Sequence, residues 1–203
     1  MYRKIEQFTH NNRDYRNLLK KIRKRILNVE NLFSIRPSLF LTESDIKCNI
    51  YSEIIKIQSL NPKFNPPLVY TELGEVTDSN NSIFTDMTIF IPGTLNLDMV
   101  SEQYYSDKGY YAVGKYIDIE FKLYKNNNFS NKDEEKLLLD KDKLLQISTL
   151  HYDNHYLDRG RMIYGFMIIV VTSNRVNERL LRCIENIKEE IEDRNIELIL
   201  FHL

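Results

Sequence analysis

The run RMIYGFMIIVV, residues 161–171, constrains the fold more than any other part of the chain. It is too short to span a bilayer and too evenly apolar to show one face to water. Such a run reads as a strand buried on both faces, which requires a sheet with helices packed against it on either side. Its neighbours agree. Upstream, KDEEKLLLDKDKLLQISTL reads as a helix. Downstream, Val176, Leu180, Ile184, Ile187 and Ile191 recur at helical spacing, and IELILFHL ends the chain as a strand.

Earlier in the chain, YIDIEFKLYK alternates strictly. Ile117, Ile119, Phe121 and Leu123 point one way, and Asp118, Glu120, Lys122 and Tyr124 the other, which is the period of a half-buried strand. LVYTELG and SIFTDMTIFIP flank the polar turn TDSNN and read as a hairpin. Residues 93–112 are tyrosine-rich without a clean period and read as an insertion before the strand at 116–125. In LTESDIKCNIYSEIIKIQSL, Thr42 with Asp45 three residues on resembles a capping box. The stripe of Ile46, Ile50, Ile54 and Ile57 then predicts a helix over 43–59. Residues 13–25, RDYRNLLKKIRKR, hold seven basic residues against one acid. Tyr15, Leu18, Leu19, Ile22 and Ile26 recur there at helical spacing, so an amphipathic helix with a basic outer face is expected.

The order is helix, helix, three strands, helix, strand, helix, strand. It predicts a single α/β domain over residues 1–203 with a mixed sheet flanked by helices, and the length suits one well-packed domain. Residues 1–42 form an N-terminal helical extension in this reading, 43–171 the core, and 172–203 a C-terminal helix and strand. A net charge of −1 supplies no global electrostatic reason for a nucleic-acid partner, so any such reason must be local. The two cysteines, Cys48 and Cys183, lie in apolar helical patterns and are expected as buried free thiols. MYRKIEQFTH has no signal-peptide core, no run could cross a membrane, and a cytoplasmic protein is the expectation.

Several chemistries lack support. Only six glycines are present, and none forms a phosphate cradle of the P-loop or dinucleotide type. His151 and His155 in HYDNH have the spacing of a zinc helix but lack its glutamate and fall in a loop-like segment. No serine or cysteine stands in a recognisable nucleophile setting.

What remains is a set of acids and lysines on elements of regular structure. Asp86 sits in an otherwise apolar or hydroxylic strand, and Glu120 and Lys122 share a face of the next. If these strands are neighbours, the two carboxylates meet and repel unless a cation lies between them. Oxygen ligands of this kind suit Mg²⁺ or Mn²⁺. Lys122, two residues on, would project into the same space and could orient or deprotonate a water or stabilise transition-state charge.

Here the chain resembles the PD-(D/E)xK nuclease superfamily, the restriction-endonuclease-like fold. The resemblance covers roughly residues 43–171 and rests on four features in order. Asp86 in TDM matches the aspartate of the second strand, with Thr85 in place of the usual proline. Glu120-Phe121-Lys122 matches the E-x-K tripeptide. LLLDKDKLLQI, with Asp140, Lys143 and Leu144, looks like the D-x-x-K-L pattern of the following helix, and Glu43 in TESDIKCNIY stands where an extra acid can come from. The resemblance implies a three-layer restriction-endonuclease-like core, here with an added basic N-terminal helix. It also implies Mg²⁺-dependent hydrolysis of nucleic-acid phosphodiesters, DNA ahead of RNA, with Asp86, Glu120 and Glu43 as metal ligands. Lys122 would be the catalytic lysine, and pairing into a homodimer stays open. The alternative is a catalytically inactive nucleic-acid- or protein-binding module on the same fold.

Plainer readings stand beside these. Glu120 and Lys122 could be a solvated charge pair, and Asp118 a strand charge paired with a basic neighbour. Glu43 could serve only the helix dipole; Glu53 lies near the same stripe. Glu72 in YTELG would by default be an edge-strand acid in water. Asp140 lies inside the apolar stripe of its helix and needs a partner, with Lys143 or a strand residue expected. Tyr104, Tyr105, Tyr110 and Tyr111 could stack on bases but more naturally cover the sheet edge.

Overall fold

The computed structural model describes residues 12–65, 68–76, 82–94, 114–125, 128–149 and 161–203. Helix α1 (Asn12–Ile35) and α2 (Glu43–Ile54) precede strands β1 (Val69–Val76), β2 (Ser82–Phe90) and β3 (Lys115–Tyr124). Helix α3 (Asn131–Thr149), β4 (Arg161–Val171), α4 (Glu178–Ile191) and β5 (Ile196–His202) follow. The five strands form one mixed sheet in the order β1-β2-β3-β4-β5. β1 and β2 pair antiparallel, as do β2 and β3, whereas β3, β4 and β5 run parallel. Sequential strands are neighbours throughout, so the crossovers through α3 and α4 each return to the adjacent strand.

α1 buries Leu18, Ile22, Ile26, Val29 and Phe33, a stripe spaced by threes and fours. Tyr15 reaches the sheet and donates its hydroxyl to the Ile163 carbonyl at 3.1 Å. Arg25 is tied to Glu53 of α2 at 3.2 Å and Arg23 to Glu197 of β5 at 2.7 Å. Arg16, Lys20, Lys21 and Lys24 remain exposed, with no ion-pair partner among the described residues. The expected basic outer face of this helix is therefore present.

α2 starts at a true capping box: Asp45 N–H donates to Thr42 Oγ1 at 3.1 Å, and Thr42 N–H donates to Asp45 Oδ2 at 2.8 Å. The helix stops at Ile54, short of the expected 59, and the chain turns into a 3₁₀ segment at Gln58–Leu60. Ile57 and Leu60 are still buried there. Apolar residues three apart satisfy either helix type, so the pattern ran on past the α-helical end. Cys183 is buried as expected, but Cys48 is exposed because it lies between Ile46 and Ile50 on the opposite side of α2.

β3 is not half-buried. Tyr116 to Phe121 are all buried, the acids Asp118 and Glu120 included, because α3 covers the face they share. The bonds from Glu120 and Lys122 to Lys143 and Asp140 of α3 assign that even-numbered face to the α3 side. The odd-numbered face, Ile117, Ile119 and Phe121, is left to the α1–α2 side, so the sheet is flanked by helices. β4 fulfils its sequence pattern, with Gly165 to Val171 buried without a break. His151, His155 and the tyrosines at 104, 105, 110 and 111 lie outside the described residues, as does nearly all of the 93–112 stretch.

Candidate active site

β2 and β3 do not stay paired along their length. Their ladder runs from Phe90↔Tyr116 only to Met87↔Ile119. Beyond it, the start of β2 continues against β1 and the end of β3 continues against β4. The sheet therefore forks, and the backbone amides on the inner edge of the fork need other partners. Carboxylates supply them. Asp86 N–H donates to Glu120 Oε1 at 3.3 Å, and Phe121 N–H donates to Asp86 Oδ2 at 2.9 Å. One step further, Leu123 N–H donates to Glu43 Oε1 at 3.3 Å, from the first residue of α2. Asp86 and Glu120 thus lie beside each other at the fork, and Glu43 bonds the same edge of β3 two residues further on.

Three ammonium groups surround these acids. Lys47 of α2 lies 2.6 Å from Asp86 Oδ1 and 3.9 Å from Glu72 Oε1. Lys143 of α3 lies 2.7 Å from Glu120 Oε2 and donates to the Phe84 carbonyl at 3.0 Å. Lys122 lies 2.6 Å from Asp140 Oδ2, so this half-buried acid of α3 finds its partner on the strand, with Lys143 at 3.8 Å from its other oxygen. The ammonium of Lys122 is directed to Asp140 and not onto Asp86 or Glu120. Glu53 plays no part here, being held by Arg25 and Lys56. Glu72 stands at the rim, largely exposed, with a left-handed backbone (φ 57°) directly opposite Asp86. A left-handed non-glycine residue inside a strand is a local strain, and here it adjoins the site.

The two central carboxylates are pushed apart in acidity. Burial raises Asp86, but the Lys47 ammonium and the Phe121 N–H outweigh it and hold that carboxyl below its ordinary range. Burial pushes Glu120 up to about 9, with the neighbouring Asp86 charge adding to the rise and Lys143 offsetting only part of it. For Lys122, burial disfavours the charge, yet the bond to Asp140 prevails and keeps the ammonium above its usual pKa. Its field also reaches Glu43 and Asp86, which places it in the same cluster.

Asp118 corrects the expectation of a basic partner. It is fully buried and accepts hydrogen bonds from Thr88 Oγ1 at 2.6 Å and Thr85 Oγ1 at 3.3 Å. Among the described residues its Oδ2 has no hydrogen-bond partner, and burial pushes this carboxyl up to about 7. Thr85, the residue that departs from the proline of the resemblance, is thus a hydrogen-bond donor to a buried acid.

Sequence reasoning missed Lys47. The signal that could have found it was its place four residues after Glu43, one helical turn along the same face. Once Glu43 reaches the fork, that geometry carries Lys47 there as well.

The donors at the fork are hard oxygens, the class that suits a small dication. Mg²⁺ needs only one or two carboxylates beside water, and Asp86 with Glu120 would provide them. A cation shared by the pair would relieve the Asp86 repulsion that adds to the effect of burial on Glu120. Among the described residues, no group of three or more His, Cys, Asp or Glu side chains is arranged to hold an ion with the side chains as they stand. The lysines take part of that role in this arrangement.

Fold and site together define an α/β protein whose mixed sheet opens between two strands onto a cluster of carboxylates and lysines. Comparison with known proteins finds no matching family model, no matching curated protein and no matching solved structure. No helix among the described residues is long and apolar enough to cross a membrane.

Proposed function

We propose that this chain is a nuclease that hydrolyses nucleic-acid phosphodiesters, DNA ahead of RNA, with the help of Mg²⁺ or Mn²⁺. One observation carries the reading: Asp86 and Glu120 converge in the fork between β2 and β3, hydrogen-bonded through each other's strands. Strand ends fixed by a sheet hold such groups more firmly than loops would. Asp86 and Glu120 would hold the cation, with Glu43 beside them on the edge of β3. When bound, the ion would polarise a phosphoryl oxygen and acidify its own water. The residues supply the rest. Asp140 keeps Lys122 charged, which suits it to orient a nucleophile and stabilise developing negative charge, not to remove a proton. α3 also carries Lys143, which braces Glu120 against the Phe84 carbonyl.

The test is cleavage of labelled DNA and RNA by the purified chain with Mg²⁺ or Mn²⁺. Asp86→Asn, Glu120→Gln and Lys122→Ala are each expected to lower the rate by two orders of magnitude or more, on the order of a lost electrostatic group in an active site. Absence of metal-dependent cutting, or cutting that survives Lys122→Ala, would overturn the proposal.

A second reading is a non-catalytic nucleic-acid-binding module. It is favoured by the ammonium partners already resting on Asp86 and Glu120, which neutralise the cluster without a metal. Salt-sensitive DNA binding with no cleavage under any divalent ion would select it.

A further inference from the structure

Lys47 has no role in the motifs that brought the site to light, yet it makes a close contact with Asp86, 2.6 Å from its Oδ1. α2 bridges the fork: Glu43 fastens to the edge of β3 through Leu123 N–H, and Lys47, one turn later, reaches across to Asp86 of β2. Asp86 has both oxygens engaged, Oδ2 by Phe121 N–H at 2.9 Å and Oδ1 by the Lys47 ammonium at 2.6 Å. Oδ2 is tied to the strand by the Phe121 N–H, so a dication binding this carboxylate through Oδ1 would sit beside the Lys47 ammonium on the same oxygen. Two positive centres sharing one carboxylate oxygen repel strongly in a partly desolvated place. Arrival of the cation therefore weakens the ammonium's hold on Asp86 and favours its release.

It has somewhere to go. The Lys47 side chain is 18% exposed, so it is not sealed in, and the carboxylate of Glu72, 73% exposed, lies 3.9 Å away toward solvent. Nearby cations and anions set the direction. Lys143 and Lys122 are held on the α3 side by Glu120 and Asp140, whereas among the described residues the ion-pair partners of Lys47 are Asp86 and Glu72. A lysine ammonium is a flexible point charge that suits a phosphate oxygen.

We propose that Lys47 is a phosphate-binding residue whose release is controlled by the cation. Without a divalent ion it is the counter-ion of Asp86. When the ion takes Asp86, Lys47 turns outward and grips the substrate backbone. Cation and nucleic acid then strengthen each other's binding by the same factor, as linkage requires. The inference rests on the nuclease reading above, since it needs a cation at Asp86.

The test uses the full chain and reads binding instead of turnover. Mn²⁺ affinity is measured by electron paramagnetic resonance without nucleic acid. Affinity for a short DNA duplex is measured by fluorescence anisotropy in Ca²⁺ and in chelator. Lys47→Met is expected to bind Mn²⁺ about fivefold more tightly than the parent, the size of a modest ion-pair effect. The gain in duplex affinity that Ca²⁺ gives the parent should shrink by about the same factor. Lys56→Met, which removes an exposed lysine paired with Glu53, should change neither quantity. If the parent binds Mn²⁺ and Lys47→Met binds it no more tightly, Lys47 does not compete for Asp86 and the inference fails while the nuclease reading stands. If the parent binds no Mn²⁺, both fail. Should Lys47→Met not fold, the parent alone decides. Its duplex affinity should depend more steeply on salt in Ca²⁺ than in chelator, by about one charge. Equal slopes would overturn the inference.

Discussion

Asp118 is fully buried beside Thr85 and Thr88, with one carboxylate oxygen hydrogen-bonded and the other without a partner among the described residues. Burial lifts its pKa to about 7, far above the value it has in an unfolded chain. The sign of the consequence is fixed by linkage. Below pH 4 the group is protonated in both states and has no effect. Between pH 4 and 7 the unfolded chain loses the proton first, so this group's contribution to stability falls as pH rises and levels off above 7. Asp118→Asn keeps an acceptor for Thr88 and removes the charge. It is expected to raise stability at pH 8 by on the order of a few kcal/mol and to flatten the difference curve, read by urea denaturation in chelator. A variant less stable than the parent at pH 8 would contradict this. From the alternating pattern, Asp118, Glu120 and Lys122 are equivalent, three charged residues on one strand face. Packing separates them: the first is sealed against threonines, the second meets Lys143, and the third meets Asp140.

At the level of elements, α2 does more than cover the sheet. Its first turn delivers Glu43 and its second Lys47, so the capping box at Thr42 controls where two site residues stand. Thr42→Ala should cost about 1 kcal/mol of stability, the usual loss for a missing N-cap, visible as a lowered urea midpoint. Under the proposed function it should also weaken metal binding, because fraying of that turn withdraws Glu43 from Leu123. Unchanged stability would mean that the cap contributes nothing here. The start of α2 was legible because a capping box is a local signal, complete within four residues. Its end was not, because Ile57 and Leu60 keep the apolar spacing after the helix has given way to a 3₁₀ turn. Cys48 was misread for a related reason, since a helix of this length places residues on every side while the pattern reports only the buried one.

For the whole molecule, charge is distributed unevenly although the net value is −1. α1 presents Arg16, Lys20, Lys21 and Lys24 to solvent, while Arg23 and Arg25 are occupied by Glu197 and Glu53. The ion pairs of α1 run to β5 and α2, and α4 ties to α3 through Arg179 and Glu134. Under the proposed function, and with α1 on the nucleic acid, replacing Lys20 and Lys24 by glutamine should lower the salt slope of DNA binding by about two, one for each phosphate left without its lysine. An unchanged slope would place α1 away from the nucleic acid. The number and order of the helices and strands followed from the sequence alone, because hydrophobic period and turn residues are local properties of the chain. The apolar run at 161–171 also foretold helices on the sheet. The fork between β2 and β3 did not follow, nor did the choice of ion-pair partner for each lysine or the burial of Asp118. Those depend on where two strands part and which helix fills the space, and residues far apart in the chain decide that only once they are packed together.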